Sequence, residues 1–392
     1  MRGKGFLALI MLTAVVVLGV SRTLQDETTA PQGGQLMFGD LLARVNDVVR
    51  VDVTSAGKTF KLLRADKGAW VMPSKNDFPV ESSMVNRLLL GMANLERLQP
   101  KTGKAERFVE LGLRDPAMEE SNAVGFSLLD SAGSTVANVI VGNARPAKGD
   151  ATREEFFVRV PGEANSWLVI GTLPASAGDV FDWLQSRILA ISHSRIARSR
   201  MTHADGEVVT VARETPEGEF AFAELPQGER AAEAWRINDI GNLFVDLNLN
   251  DVRLSEELPA DATQIAFESE TFDGLRVRMK VFDTGPEPLV QLRAEFDESL
   301  VVPTEADAAK QAASTERASA EKASAEKVRA EVAELNERWS RWVYTVSKFK
   351  GDTVRRRQKD LIREPEPEPK QEVESNMSTV PPMLAPAKSS GN

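Results

Sequence analysis

The sequence predicts an α+β protein in which an N-terminal transmembrane helix is followed by two tandem β-rich units, each with antiparallel strands and packing helices. Three observations predict this class. Residues 5–20 form an uncharged apolar run, segments of alternating polarity are followed by segments with helical spacing, and the same order of patterns occurs twice. Alternation is typical of strands with one buried face, whereas apolar residues three or four positions apart line one face of a helix.

The apolar run of 16 residues, GFLALIMLTAVVVLGV, follows Arg2 and Lys4. It is longer than the apolar core of a secretory signal, about 7 to 15 residues, and shorter than the roughly 20 residues of an average membrane span. The small-residue cleavage site at Gly19-Val20-Ser21 is weak, so we favour an uncleaved anchor over a signal peptide. The two positive charges keep residues 1–4 in the cytoplasm and direct the rest of the chain outward.

Composition sets the limits for the exported part. The chain has 392 residues, a formal net charge of −10 and no cysteine, so it is long enough for two cores and has no disulfides. An acidic chain lacks the Lys/Arg patches that meet a phosphate backbone, which argues against a nucleic-acid partner. Residues 21–44 have turn formers and no periodicity and predict a tether, and residues 363–392, rich in Pro, Glu and Ser, predict a disordered tail.

The first predicted unit covers residues 45–192. After alternating strands near its start, a helix with one buried face is predicted from Val85, Leu88, Met92 and Leu95. A short helix is expected over residues 104–111. Strands are then expected over 124–129, 136–141, 156–160 and 167–170. A last helix over residues 175–189 is predicted from the spacing of Val180, Phe181, Leu184 and Ile188.

The second predicted unit, residues 193–362, repeats the first. Each of the residues Ile237, Ile240, Phe244 and Leu247 lies 152 positions after its counterpart on the first helical face. Phe267 follows Phe126 by 141 positions, and Val277 and Val281 are expected in the strand positions of Val136 and Ile140. These constant separations indicate a tandem duplication. The alternative is that generic strand patterns have been aligned with one another.

An insertion of 34 residues is indicated because the separation rises from 141 to 175 at Trp167 and Trp342. It lies within residues 304–338, which are rich in Ala, Glu and Lys, strong helix formers. Only the apolar residues Val328, Val332, Leu335 and Trp339 could pack on the rest of the protein. The insertion is therefore either a solvated spacer helix or a partner-binding arm. The candidate partner-binding residues are Glu316, Arg317, Glu321, Lys322, Glu326 and Lys327.

The sequence gives no catalytic, cofactor-binding or metal-binding constellation, so none is predicted. His193 and His203 are the only histidines, no carboxylates cluster around them, and His203 lies in a predicted turn where a solvated side chain is expected. The five tryptophans at predicted strand or helix starts are expected in the core rather than on a sugar-binding platform. They are Trp70, Trp167, Trp183, Trp235 and Trp342.

Three segments together resemble the family called domain of unknown function 4340. They are the element FVELGLRDP at residues 108–116, WLQSRIL at residues 183–189, and LNER at residues 335–338 running into Trp342-Val343-Tyr344. The resemblance covers roughly residues 45–362. It implies a single-pass bacterial inner-membrane protein with a periplasmic α+β repeat domain, often encoded beside gliding-type ABC transporter components. It brings no known activity and no catalytic residues.

Two functions remain open. The favoured one is a non-enzymatic periplasmic scaffold or accessory protein, an auxiliary component of an ABC-type transport system with membrane-complex subunits as partners. The alternative is an exported glycan-binding or glycan-active protein, which requires exposed aromatic rings and carboxylates converging in a cleft.

Overall fold

The structure is a computed structural model that describes residues 34–148, 150–174, 177–258, 263–301 and 314–363. Two antiparallel sheets and a small number of helices make up these ranges, which agrees with the predicted α+β class. No helix in the described ranges is both long and apolar enough to cross a membrane. The predicted anchor, residues 5–20, and most of the predicted tail lie outside those ranges.

The first sheet has ten strands in the order β1-β6-β10-β9-β8-β7-β2-β3-β4-β5. Its strands are β1 Gln35–Leu36, β2 Arg50–Ser55, β3 Lys58–Arg64, β4 Trp70–Met72, β5 Phe78–Pro79, β6 Glu96–Pro100, β7 Val124–Leu129, β8 Thr135–Pro146, β9 Glu154–Arg159 and β10 Ser166–Gly171.

The second sheet has nine strands in the order β11-β15-β19-β18-β17-β16-β12-β13-β14. Its strands are β11 Arg187–Leu189, β12 Ile196–Thr202, β13 Val208–Ala212, β14 Ala221–Phe222, β15 Leu247–Leu254, β16 Thr263–Thr271, β17 Leu275–Asp283, β18 Leu289–Phe296 and β19 Trp342–Val346. The α-helices of the described chain are α1 Leu41–Arg44, α2 Ser82–Ala93, α3 Ala234–Gly241, α4 Ser314–Trp339 and α5 Lys348–Val354.

The two sheets have the same strand order. The run β6-β10-β9-β8-β7-β2-β3-β4 of the first sheet corresponds, strand by strand along the chain, to the run β15-β19-β18-β17-β16-β12-β13-β14 of the second. The pairing register agrees as well. Val53 lies opposite Phe60 and Phe126, and Met201 lies opposite Val209 and Phe267. Different strand orders would have contradicted a duplication, and the order found is the one that a duplication requires.

One predicted correspondence is wrong by a residue. Phe126 lies opposite Val139, and its counterpart Phe267 lies opposite Met279, so the separation on this strand is 140 rather than 141. A bulge in β8 next to Leu128 accommodates an extra residue, Val136, in the first unit. Since successive strand residues point to opposite faces, the slip matters: Ile140 lies on the outer face of its sheet, whereas Val281 is part of the main core.

The helix predicted over residues 175–189 is also wrong. A single 3₁₀ turn, Val180–Trp183, forms there and is capped by the Asp179 side chain, which accepts a hydrogen bond from the Phe181 N–H at 2.9 Å. Arg187–Leu189 then forms β11 and pairs with β15. Strand pairing outweighs the helix-like spacing of the apolar residues. The helix predicted over residues 104–111 is likewise reduced to a 3₁₀ turn, Ala105–Arg107, followed by hydrogen-bonded turns.

One continuous hydrophobic core joins the inner faces of both sheets with helices α2 and α3. The contact between the halves is specific. The ring of Phe78 meets Trp342 edge to face with a centroid distance of 5.0 Å, and the Lys75 ammonium lies 2.6 Å from the Asp251 carboxylate. The unit boundaries given above, residues 45–192 and 193–362, stay a prediction.

Candidate functional site

Helix α4 is attached to the second sheet by its C-terminal half. Among the side chains of α4 that the structure describes, Val328, Leu335 and Trp339 are buried and Val332 packs against the same core, as the sequence predicted for the end of the insertion. Apolar side chains spaced at three- and four-residue intervals place this stripe on one face. Residues 322–327, just before Val328, are mainly exposed, so the buried stripe ends halfway along the helix.

Polar contacts fix the direction of α4. Glu331 accepts two hydrogen bonds from the Arg195 guanidinium, at 2.9 and 3.0 Å, and Asp273 accepts a third at 2.9 Å. Burial lowers the pKa of Arg195, but the bonds to Glu331 and Asp273 outweigh it and the pKa is raised overall. A bidentate guanidinium–carboxylate pair also constrains geometry. The helix is therefore held in one orientation relative to the sheet.

The Asn336 side chain makes hydrogen bonds to β18 where strand β19 does not pair with it. Strand β19 lies opposite β18 at only two positions, Leu289 and Val290. Beyond them the Asn336 amide accepts a hydrogen bond from the Ala294 N–H at 2.9 Å and donates one to the Ala294 carbonyl at 2.8 Å. An asparagine side chain carries the donor and the acceptor that this edge of β18 needs. Helix α4 is thus hydrogen-bonded to β18 at the point where β18 and β19 separate.

The predicted partner-binding residues all lie on α4. Lys322, Glu326 and Lys327 are exposed. Glu316, Arg317 and Glu321 belong to the same helix, and their side chains are outside the described part of the structure. At 1.5 Å per residue, the 26 residues of α4 extend over about 39 Å. The structure thus places a charged helical segment beyond a firmly packed base.

The outer face of the second sheet carries a network of ion pairs that the sequence analysis did not identify. Along one row, Arg198, Glu270 and Arg276 lie side by side on β12, β16 and β17, followed by Glu295 on β18. Neighbouring charges pair at 2.7 Å between Arg276 and Glu270 and at 3.3 Å between Arg198 and Glu270. The alternation of charged and apolar residues along β17 was the available signal, since it predicts one face covered by charge.

The next row of this face has an excess of positive charge. Arg200, Glu268, Arg278 and Arg293 are neighbours in that order, so Arg278 and Arg293 face each other directly. Like charges at opposed strand positions are destabilising. A cleft of about 560 Å³ lies beside them and contains the residues Arg278, Lys280, Gln291, Leu292, Arg293, Glu295, Asn336 and Ser340.

The outer face of the first sheet is covered instead. Residues 101–123 fold over it, and Leu113, Ala123 and Ile140 form a small separate cluster there. Within this segment Gly112 has φ +69°, and a Cβ on it would lie 2.3 Å from the Asn143 Oδ1. Only glycine fits there without displacing its neighbour. The element at residues 108–116 therefore builds a packed cover.

The family model described as "Domain of unknown function (DUF4340)" matches residues 70–266, or 197 of the 392 residues. The chain belongs to this family. The matched region of the DUF4340 family includes the packed cover of the first sheet and the first strands of the second. No curated protein matches the chain, and no solved structure does.

The two histidines have structural contacts. His203 is buried, which corrects the expected solvated position, and its Nε2 donates to the Arg356 carbonyl at 3.0 Å. The C-terminal segment folds over this turn and excludes water. His193 is exposed, with its Nε2 accepting from Arg213 at 2.9 Å and its Nδ1 donating to Asn242 at 2.6 Å. Burial lowers the pKa of Arg213.

Four tryptophans are buried, namely Trp70, Trp183, Trp339 and Trp342. Trp167 is half-buried and Trp235 is 54% exposed, so Trp235 does not lie in the expected core position. Within the part of the chain that the structure describes, no group of three or more His, Cys, Asp or Glu side chains could hold a metal ion.

Proposed function

We propose that this DUF4340 protein is a non-enzymatic, membrane-anchored periplasmic accessory protein and an auxiliary component of an ABC-type transport system. The observation that carries the proposal is helix α4, which has a packed base and an exposed charged segment. A long helix that lacks an apolar seam gains little from helix propensity alone. Here the contacts of Glu331, Asn336 and Trp339 hold it in place.

The charge pattern of the exposed segment favours a protein partner. Lys322, Glu326 and Lys327 present both signs on exposed positions of α4, and mixed charges of this kind form the polar rim of protein interfaces. A nucleic acid or an anionic membrane would instead select positive charge alone. The membrane-complex subunit that binds the arm is therefore expected to carry charges complementary to both signs.

The membrane location comes from the sequence and the family resemblance. The apolar run at residues 5–20 behind Arg2 and Lys4 is typical of a single inner-membrane span with a cytoplasmic N-terminus. The family's association with gliding-type ABC transporter components supplies the class of partner.

The glycan-binding alternative has one observation in its favour, the exposed ring of Trp235. The guanidinium groups of Arg236 and Arg356 lie over this ring, at 5.1 and 5.4 Å from its centroid. Arg356 also donates to the Asp239 carboxylate at 2.8 Å. Because cations already occupy positions over the ring, Trp235 is a poor sugar platform.

The test is affinity purification of the full chain from detergent-solubilised membranes, with the bound proteins identified and quantified by mass spectrometry. We expect ABC transporter subunits in stoichiometric amounts and an intact N-terminus on a chain that resists salt and carbonate washing. A mature N-terminus at Arg22 would contradict the anchor. Recovery of cell-wall glycan without transporter subunits would favour the alternative.

A further inference from the structure

We propose that helices α1 and α2, which pack beside the first sheet, rest on the surface of the inner membrane, where Leu42 and Leu90 contact lipid. This inference rests on the membrane anchor of the proposed function and adds the face of the protein that meets the bilayer. It combines exposed leucines, a helix face without acidic side chains, and the place where the described chain begins.

The exposed leucines lie on two helices that contact each other. Leu42 on α1 is 54% exposed and Leu90 on α2 is 49% exposed, and the two helices pack together. Leu90 also lines a shallow cleft of about 470 Å³ with Leu36 of β1. Single exposed leucines are ordinary, whereas leucines grouped on neighbouring elements are typical of a docking surface. We call Leu36, Leu42 and Leu90 the leucine patch.

The exposed face of α2 has no acidic side chain. One stripe of exposed side chains, three or four positions apart, is made of Ser83, Arg87, Leu90 and Asn94. Arg87 is the only charged residue of the helix, and it has no ion-pair partner in the part of the chain that the structure describes. The whole chain has a net charge of −10, but this face would not be repelled by anionic phospholipids, which attract Arg and Lys side chains.

Helix α1 would be held at the bilayer by leucine rather than by charge. Its one cation, Arg44, lies 3.7 Å from both Asp47 and Asp130, and Asp40 is exposed just before the helix. The contact therefore depends on the apolar side chain of Leu42, which would enter the headgroup region as in peripheral helices that lie on a membrane.

The described chain begins beside the leucine patch. Gln35 and Leu36 form β1, and the Met37 N–H donates to the Leu95 carbonyl at 2.7 Å, just after α2. Thirteen residues, 21–33, separate this region from the predicted anchor at residues 5–20. Even a fully extended chain of that length spans only about 45 Å.

This length restricts which face can meet the bilayer. A compact protein of about 300 residues has a radius of about 25 Å, so the path over its surface from one side to the other is about 80 Å. The tether is too short for that path. Strand β1 lies at one end of the first sheet, and β5, whose Phe78 contacts Trp342 of the second unit, lies at the other end. The tether therefore holds the leucine patch, and not the second unit, towards the membrane.

Fluorescence quenching by labelled lipid tests this contact, because the chain has no native cysteine. The full-length chain with a fluorophore on Leu90→Cys is reconstituted through its anchor into vesicles of phosphatidylethanolamine and phosphatidylglycerol with nitroxide-labelled headgroups. We expect at least threefold stronger quenching than for the same fluorophore on Phe349→Cys. Phe349 is 58% exposed on α5 of the second unit and is the matched control. Adding Leu42→Ser to the Leu90→Cys chain should reduce the quenching about twofold, because it removes the second apolar contact.

Equal quenching at the two positions would overturn the inference and leave the anchor intact. If the unlabelled chain does not float with the vesicles, the anchor itself is contradicted, and the inference is overturned with it. Protection of Leu90→Cys from labelling in a complex with transporter subunits, without quenching by lipid, would show that a protein covers this face and would also overturn it. Circular dichroism checks folding. If Leu90→Cys unfolds the chain, Arg87→Cys on the same stripe replaces it with the same expected outcome.

Discussion

The two sheets share a strand order and differ in what surrounds it. In the first, β9 and β10 pair at six positions in an unbroken hairpin, and the outer face lies beneath residues 101–123. In the second, α4 separates β18 from β19, which pair at only two positions. The segment that covers the first sheet, residues 101–123, connects β6 to β7. The corresponding connection in the second sheet, from β15 to β16, has only residues 255–262, and ion pairs lie on the outer face of that sheet instead.

This difference shows where two units with the same strand order can differ. The inner faces of both sheets form one core, and changes in volume there are costly. Connections between strands lie at the surface and tolerate insertions more easily. In the first unit a connection covers the outer face of the sheet. In the second unit a connection contains helix α4. The outer face of the first sheet is therefore packed, and the binding role that we propose belongs to α4 of the second unit.

The largest effect should come from removing the base of the helix. Trp339 is 1% exposed and donates from Nε1 to the Ile188 carbonyl at 3.2 Å. Trp339→Ala should cost about 3 to 5 kcal/mol of the free energy of unfolding, because it leaves a large cavity in the core. Urea unfolding measures this. Trp235→Ala is the control at an exposed site and should change the free energy by less than about 1 kcal/mol.

A smaller loss should separate the two outer faces. Leu113 is fully buried under the cover of the first sheet, so Leu113→Ala should cost about 2 to 3 kcal/mol. Lys280→Ala on the open face of the second sheet should cost less than about 0.5 kcal/mol. Chemical denaturation of both variants provides the comparison. Similar losses at both positions would mean that the second face is covered as well, and the contrast would be lost.

The smallest effect concerns acid stability. The hydrogen bond from Arg355 holds the pKa of Asp283 below its ordinary value, so this aspartate stabilises the fold above the unfolded-state pKa of about 4. That contribution is lost as the pH falls through the lowered folded value. Asp283→Asn should therefore reduce the loss of stability at acid pH, by less than about 1 kcal/mol because the pair is partly exposed to solvent. The measurement is the melting temperature as a function of pH.

The control for Asp283→Asn is Asp66→Asn. Asp66 is exposed in the first unit and has no ion-pair partner among the described residues. Its substitution should leave the melting profile between pH 3 and pH 7 unchanged. If both variants flatten the profile equally, the acid sensitivity is not specific to the second unit.

Much of the fold could be predicted because local patterns and core positions coincide. The helix at residues 82–93 and the repeat of its face at Ile237 and Ile240 followed from spacing alone. The spacing of Val180, Leu184 and Ile188 failed because β11 pairs with a strand some sixty residues away. A pattern within one segment does not record such a partner.

The site was predictable only in part. The packing stripe at the end of α4 was visible as periodic apolar residues, and the low apolar content of the preceding segment indicated exposure. His203 was not predictable, since the backbone that buries it, at Arg356, comes 153 residues later. The alternation of Arg276, Arg278 and Lys280 along the sequence indicated a charged face. The partners of these residues on neighbouring strands could not be predicted, because the predicted register of this strand was wrong by one residue.

The most direct test of a binding role for the second unit replaces residues 308–327 with a short Gly/Ser loop. This segment ends just before Val328, the first buried residue in the described part of α4, so the melting temperature should barely change and the free energy of unfolding should shift by about 1 kcal/mol or less. The measurement is the amount of each transporter subunit recovered with the variant from solubilised membranes. We predict that those subunits are lost while the chain stays folded and in the membrane. Full recovery of the same subunits would show that the segment is a spacer and would contradict the proposed role of α4.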